Sequence, residues 1–248
     1  METDAVVVDV SQDWAKASEV QQRFMHLGPA IETLSYSARC RQVRELGGDF
    51  YDFLPLPDKS LAMAIGDASG KSVAGALMIA NVQASLRTAA AFAGGNCALV
   101  VEAVNRQVQA SSLTDRYATL FYGVFDAATR TLRYVNAGHY PPLVIGRDVP
   151  AALLEAGGAP VGVFADSAYE EGVVQLSAGD LVVAYTDGIV EAVNPAGREW
   201  GIEGLRRAAG ACKREDADEV VRGIFAAVEE FSQGRQSDDA TVLVLRAR

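Results

Sequence analysis

The chain predicts an α+β fold built on antiparallel sheet, and three observations lead there. Strand-like apolar runs return on themselves through short turns, as residues 119–125 and 131–135 do around Asp126-Ala-Ala-Thr-Arg130. Helical patterns are grouped, whereas a doubly wound parallel sheet would alternate them one by one with strands. With 248 residues, half of them apolar, the chain can bury a full core and reads as one large domain.

The elements follow in order. Residues 11–27 carry Trp14, Ala17, Val20, Phe24 and Leu27 at steps of three and four, the stripe of an amphipathic helix, which Gly28-Pro29 stops. Residues 34–43 alternate loosely and lead into Gly47-Gly48. Residues 50–56 read as a strand running into the turn Pro57-Asp58-Lys59, with 61–65 as the returning partner. A long Ala-rich helix is expected from Ser72, its cap, to about Ala93, ended by Gly94-Gly95-Asn96. A second helix, about 98–110, places Val100, Val101, Val104 and Val108 near one face and should pack antiparallel to the first. The hairpin at 119–135 comes next, then a short strand at 141–145. Residues 172–176 and 181–185 continue the β-rich region across the turn Ser177-Ala-Gly-Asp180. A helix at about 216–232 precedes a last strand, 240–246.

Composition narrows the function. A net charge of −10 argues against a nucleic-acid surface, which needs clustered Lys and Arg. Cys40, Cys97 and Cys212 are odd in number and widely spaced, which suits neither a disulfide framework nor a zinc site with paired ligands, so a reducing cytoplasmic setting is expected. Residues 1–10 are acidic and lack the basic start and apolar run of a secretory signal. The most apolar stretch, 73–92, is broken by Asn81, Gln83 and Arg87 and fails the roughly 20 nearly uncharged residues that a membrane span needs. No membrane partner is expected.

Aspartates recur in four short punctuations between apolar runs: Glu45-Leu-Gly-Gly-Asp-Phe-Tyr-Asp52, Ile65-Gly-Asp-Ala-Ser-Gly-Lys71, Ala184-Tyr-Thr-Asp-Gly188 and Ser237-Asp-Asp-Ala-Thr241. Hard cations such as Mg²⁺ and Mn²⁺ prefer carboxylate oxygens, and carboxylates just beyond strand ends can converge on one side of a sheet. Neighbouring glycines let backbone approach an ion closely. Two such ions roughly 3.5–4 Å apart can lower the pKa of a shared water and aim it at phosphorus, hydrolysing a phosphate ester without a covalent intermediate. Taken singly, each motif has a plainer reading: Asp187-Gly188 as a turn, Gly66-Asp67-Ala68 as a strand-to-helix turn, and Asp238-Asp239 as a solvated loop.

Together with Tyr117-Ala-Thr-Leu-Phe-Tyr122 and Tyr134-Val-Asn-Ala-Gly-His-Tyr-Pro-Pro142, these motifs resemble, in order and from about Leu34 to Leu245, the signatures of PPM-type serine/threonine phosphatases of the bacterial SpoIIE/RsbU branch. The resemblance implies a sandwich of two antiparallel β-sheets flanked by helices, with two Mn²⁺ or Mg²⁺ ions at one edge. It assigns Asp49 to one metal, directly or through water, and Asp67 as the bridge between both. The Ala68 carbonyl joins the ligands of the second metal site, Asp187 and Asp238 complete the other metal's ligands, and Asp239 is the alternative to Asp238. Attack would come from the metal-bridging water, with no further catalytic group assigned. The implied substrate is phosphoserine or phosphothreonine on a regulatory protein, a STAS-domain anti-sigma factor antagonist within partner switching. Residues 31–248 would be the phosphatase domain. Residues 1–30 would be an N-terminal helix that serves as a regulatory or dimerisation linker or simply packs on the domain, with a homodimer or a separate regulatory protein as further partners.

Ser69 stands where many relatives have a histidine that protonates the leaving oxygen, so the general acid is open. Arg44, with Arg41 second, is the candidate phosphate contact, against an ordinary exposed strand charge. His139 reads as a hydrogen-bonded loop residue rather than a metal ligand, His26 as a helix surface or interface residue, and Lys71 as a solvated lysine near the phosphate site.

Overall fold

Strand residues alternate between two apolar environments, and that alternation builds the architecture. The computed structural model describes residues 10–25, 28–32, 34–70, 72–93, 95–111, 116–146, 151–212 and 214–248. One sheet runs in the order β1 (Leu34–Arg41), β11 (Ala240–Ala247), β10 (Leu181–Tyr185), β6 (Leu143–Ile145), β7 (Ala152–Leu153). The other runs β2 (Asp49–Pro55), β3 (Leu61–Ala68), β4 (Ala118–Asp126), β5 (Thr131–Ala137), β8 (Gly157–Gly158), with β9 (Gly172–Gln175) also pairing β5. Every ladder is antiparallel except the short β5–β8 pairing.

On β3, Leu61, Met63 and Ile65 point between the sheets and meet Phe53, Phe121, Leu243 and Leu245. The intervening Ala62 and Ala64 point outward, where their small size admits the helical layer of α2 (Val73–Phe92) and α3 (Cys97–Ser111). α3 fills that layer with Val100, Val101, Val104 and Val108, all fully buried, on the face that their spacing predicts. The other sheet repeats the scheme: Val183, Val242 and Val244 pack outward against Leu205 of α5 (Gly201–Ala211) and Val220 and Ile224 of α6 (Ala217–Ser232). Each fully buried Leu, Ile or Phe stabilises by about 1.5–3 kcal/mol, so the three apolar layers hold the strand ends rigidly. Among the described residues the cysteines are free and no helix is long and apolar enough to cross a membrane.

Several expectations are corrected. β3 runs three residues past Ile65, because Asp67 and Ala68 go on pairing with Thr119 and Ala118. Asp67 therefore lies inside a strand and not beyond it. Residues 172–176 and 181–185 supply strands as expected, in different sheets: β9 joins β5, β10 sits between β11 and β6, and the 177–180 turn carries the chain across the sandwich. Ser72 does not cap α2. Its φ of 68° lies in the left-handed region and its hydroxyl makes no capping bond, in contrast to Asp216, whose side chain accepts from Glu219 N at 3.0 Å at the start of α6. α5 was not foreseen.

The first helix, α1 (Val10–Phe24), departs most from its pattern. Its apolar stripe is left open, with Val20 52% and Phe24 37% exposed, while polar Gln21 is only 6% exposed. Residue 27 lies outside the described residues.

Candidate metal centre

β2 and β3 pair so that Asp49 stands directly opposite Asp67. Cross-strand partners have Cβ atoms about 4.5–5.5 Å apart, and like charges so placed destabilise a ladder. The other carboxylates arrive from the facing sheet. Asp187 opens the single-turn helix α4 (Asp187–Val190) after β10, and Asp238 and Asp239 lead into β11, the neighbour of β10. The charges of Asp187, Asp238 and Asp239 all bear on Asp67, and those of Asp67 and Asp239 bear on Asp49. The structure thus brings all five aspartates to one edge of the sandwich.

Asp49 is 1% exposed, and its Oδ2 accepts hydrogen bonds from the hydroxyls of Thr186 and Thr241, each at 2.7 Å. Thr241 N donates to Thr186 Oγ1 at 2.9 Å, which closes the arrangement. Thr186 occupies the position before α4, yet its hydroxyl serves Asp49 and not the helix. Burial, followed by repulsion from Asp67, raises the Asp49 pKa well above the carboxylate range, against the pull of the two hydroxyls. Asp67 is half-buried; burial, then the charges of Asp187, Asp238 and Asp239, push it up to about 7. The two adjacent aspartates divide their work. Asp239 accepts from Val43 N through Oδ1 and from Gly48 N through Oδ2, both at 2.8 Å, and so ties down the loop between β1 and β2. Asp238 accepts from Asp239 N at 3.1 Å.

Glycine is required where the backbone closes on this edge. A Cβ on Gly48 would lie 3.1 Å from Asp67 Oδ1 and 3.3 Å from the Ala68 carbonyl, so those two oxygens border one small space; a Cβ on Gly188 would strike the Asp239 carbonyl. The donors are carboxylate and carbonyl oxygens, the chemistry that suits Mg²⁺ or Mn²⁺ and not a soft metal. Among the described residues no three His, Cys, Asp or Glu side chains close on one point as a finished cage. The fit to a divalent cation is therefore one of donor chemistry, placement and mutual repulsion among the carboxylates.

The remaining candidates separate clearly. His139 is 5% exposed; its Nδ1 lies 2.9 Å from Thr119 Oγ1, its backbone N donates to Asn136 Oδ1, and burial lowers its pKa to about 4. It is a neutral, hydrogen-bonded residue behind Asp67, in line with the loop reading. Ser69 Oγ accepts from Tyr117 N at 2.9 Å. Arg41 pairs with Glu229 at 3.1 Å and lies over the Phe225 ring, so α6 engages it. Arg44 is exposed on the β1–β2 loop, where it lines a cleft with Ser18, Gln22 and Tyr51. His26 and Lys71 lie outside the described residues. Thr186, Thr241 and Gln21 were missed as contributors. The threonines stood inside the quoted motifs, adjacent to Asp187 and two residues beyond Asp239.

Comparison with known proteins accords with this fold. The family model described as stage II sporulation protein E (SpoIIE) matches residues 57–248. Protein IcfG of Synechocystis sp. is 27% identical over 217 residues, covering 77% of this chain and 34% of that protein. Phosphoserine phosphatase RsbU of Bacillus subtilis is 26% identical over 234 residues, covering 94% of this chain and 69% of the relative. The chain thus spans about a third of the first relative and about two thirds of the second. Among solved structures, the SiaA-PP2C domain of Pseudomonas aeruginosa superposes with a TM-score of 0.85 at 20% identity and full coverage of both chains, a likeness of fold. Other fold neighbours were solved with magnesium or manganese.

Proposed function

The chain belongs to the stage II sporulation protein E (SpoIIE) family, and from that premise we propose that it is a metal-dependent serine/threonine protein phosphatase working at the aspartate edge. The observation that carries this reading is the meeting of five aspartates, drawn from both sheets, around the Asp49–Asp67 pair. Asp49, Asp67, Asp187 and Asp238, with the Ala68 carbonyl, would hold two Mn²⁺ or Mg²⁺ ions. Bound there, the ions supply Lewis acidity and a water activated for attack on phosphorus. The chain's own residues orient the donors: Thr186 and Thr241 fix Asp49 Oδ2, Asp239 secures the Gly48 turn, and neutral His139 braces Thr119 beside Asp67. Arg44 is the proposed contact to the substrate phosphate.

The proposed substrate is phosphoserine or phosphothreonine on a STAS-type anti-sigma factor antagonist, a reading supported by the phosphoserine phosphatase RsbU among the relatives. Residues 31–248 form the proposed phosphatase unit and residues 1–30 a regulatory linker. The exposed Val20 and Phe24 of α1 suit a homodimer or a separate regulatory protein as its partner, and the free cysteines suit a cytoplasmic setting.

The test is hydrolysis of p-nitrophenyl phosphate with Mn²⁺, Mg²⁺ or EDTA, followed by release of phosphate from a phosphorylated STAS protein. Metal-dependent turnover that disappears in Asp67→Ala and Asp187→Ala is expected. No turnover with any metal, alongside tight binding of the phosphoprotein, would make the chain a binding module instead.

A further inference from the structure

We infer that Gln21 is a positioning residue for this centre. Its buried carboxamide holds the Gly47–Gly48 turn in the arrangement that presents Asp49 and Asp67 to a divalent cation. The inference rests on the metal-site reading given under the proposed function.

A glutamine on a helix that leaves its valine and phenylalanine exposed would ordinarily point to solvent. Gln21 instead is 6% exposed and makes three hydrogen bonds. Its Nε2 donates to Gly47 O at 2.8 Å, and its Oε1 accepts from Gly47 N at 3.1 Å and from Gln42 Nε2 at 2.9 Å. Grasping both the N–H and the C=O of one residue fixes the orientation of the two peptide planes that meet there. Burying a carboxamide is costly unless its bonds are made, so removing one partner exacts the full desolvation cost of the others.

The inner side of the same turn touches the aspartates. Gly48 N donates to Asp239 Oδ2, Gly48 O accepts from Ala68 N at 3.1 Å, and the Gly48 Cα borders the space shared by Asp67 Oδ1 and the Ala68 carbonyl. Asp49 is the next residue. Neither glycine has a side chain to anchor it, and a Cβ on Gly47 would run into Asp239 Oδ2 at 2.6 Å. Among the described residues the turn is held by backbone bonds, by Asp239 from within and by Gln21 from without.

α1 also reaches β2 beyond the turn, through α2. The Phe24 carbonyl accepts from Arg87 Nη2 at 2.7 Å and from Gln83 Nε2 at 3.2 Å, and Arg87 binds buried Asp52 of β2 at 2.7 Å. The helix is thus tied to Gly47 before Asp49 directly and to Asp52 after it through Arg87.

The test measures Mn²⁺ binding calorimetrically in the full chain without substrate, together with exchange of the Gly47 and Gly48 amides and turnover of p-nitrophenyl phosphate against Mn²⁺ concentration. Gln21→Met should weaken Mn²⁺ on the order of 10- to 100-fold, the scale seen when partners that orient metal ligands are lost. It should also speed amide exchange at Gly47, while turnover recovers at saturating Mn²⁺ with KM unchanged. Glu19→Gln, on the exposed side of the helix, should leave affinity unaltered. Should Gln21→Met fail to fold, Gln42→Leu, which removes one bond to Oε1, should shift Mn²⁺ affinity in the same direction by less. Unchanged Mn²⁺ affinity in the Gln21 or Gln42 variant, even with altered thermal stability or amide exchange, overturns the inference and leaves the metal site standing. Failure of the unsubstituted chain to bind Mn²⁺ would instead bring down the metal-site reading and this inference with it.

Discussion

Asp49 and Asp67 face each other across one antiparallel ladder, yet their surroundings differ. Asp49 is closed off from solvent and two threonine hydroxyls from the facing sheet fix one of its oxygens. Asp67 is partly open, and its proton affinity is set by burial and the charges of Asp187, Asp238 and Asp239. A carboxylate fixed by dipoles keeps its geometry with or without a counter-ion. One loaded with like charge depends on a counter-ion, or a proton, to relax. The edge thus combines a rigid half and a charged half, and variants can probe each separately.

The largest expected effect lies in the charged half. Replacing Asp67 or Asp187 by alanine should lower Mn²⁺-dependent turnover of p-nitrophenyl phosphate on the order of 10³-fold, the scale of losing a dominant electrostatic contact; near-normal rates would remove these residues from the site. In the rigid half, Thr186→Val with Thr241→Val strips both donors from a buried carboxylate. Urea unfolding should register a loss of about 2–4 kcal/mol, and Mn²⁺ affinity should fall as well, whereas equal stability would mean that Asp49 is not fixed by these hydroxyls.

Acid and base should then separate Asp67 from its neighbour His139 in EDTA. Asp67 titrates near 7 when folded, above the ordinary 3.8, so the folded state keeps a proton that the unfolded chain has released. Its contribution is fully present below about pH 4 and is lost as pH rises through 7. His139 has the opposite sign: folded near 4 against an ordinary 6.5, it contributes above pH 6.5 and loses that contribution as pH falls through 4. Melting temperature against pH should lose part of its downward slope toward neutrality in Asp67→Asn, buried Asp49 keeping the rest, and its acid-side slope in His139→Gln; profiles unaltered by both changes would refute the assignment. The smallest effect is a control away from the edge. Asp216→Ala should cost about 1 kcal/mol of stability through the α6 cap and leave Mn²⁺ affinity unchanged.

Much of this edge was legible in the sequence because glycine and aspartate interrupt apolar runs at the places where the chain closes on itself. The Val100, Val101, Val104 and Val108 face was equally readable, since a single period of 3.6 governs it. Other features were hidden for physical reasons. β9 and β10 are separated by an ordinary turn, and nothing local records that Leu176 and Leu181 lead into different sheets. Gly201, Gly204 and Gly210 dilute the helical propensity of α5, which tertiary packing of Leu205 restores. Ser72 has a capping side chain but a backbone set by its neighbours. Gln21 and the two threonines act through partners distant in sequence, Gly47 for the glutamine and Asp49 for the threonines, and a polar residue with a distant partner looks like any surface residue.

The bond from Thr241 to Asp49 closes a loop of 192 residues, and β1 completes its ladder only with β11, Leu34 against Ala247 and Arg41 against Ala240. Loop-closure entropy must be overcome before such contacts stabilise anything, so this ladder belongs among the slow events of folding. During synthesis, the first strands leave the ribosome long before the strand that completes their carboxylate cluster. A nascent chain therefore carries Asp49 and Asp67 without Asp238, Asp239 or Thr241. Assembly of the centre becomes a late report that the whole domain has folded.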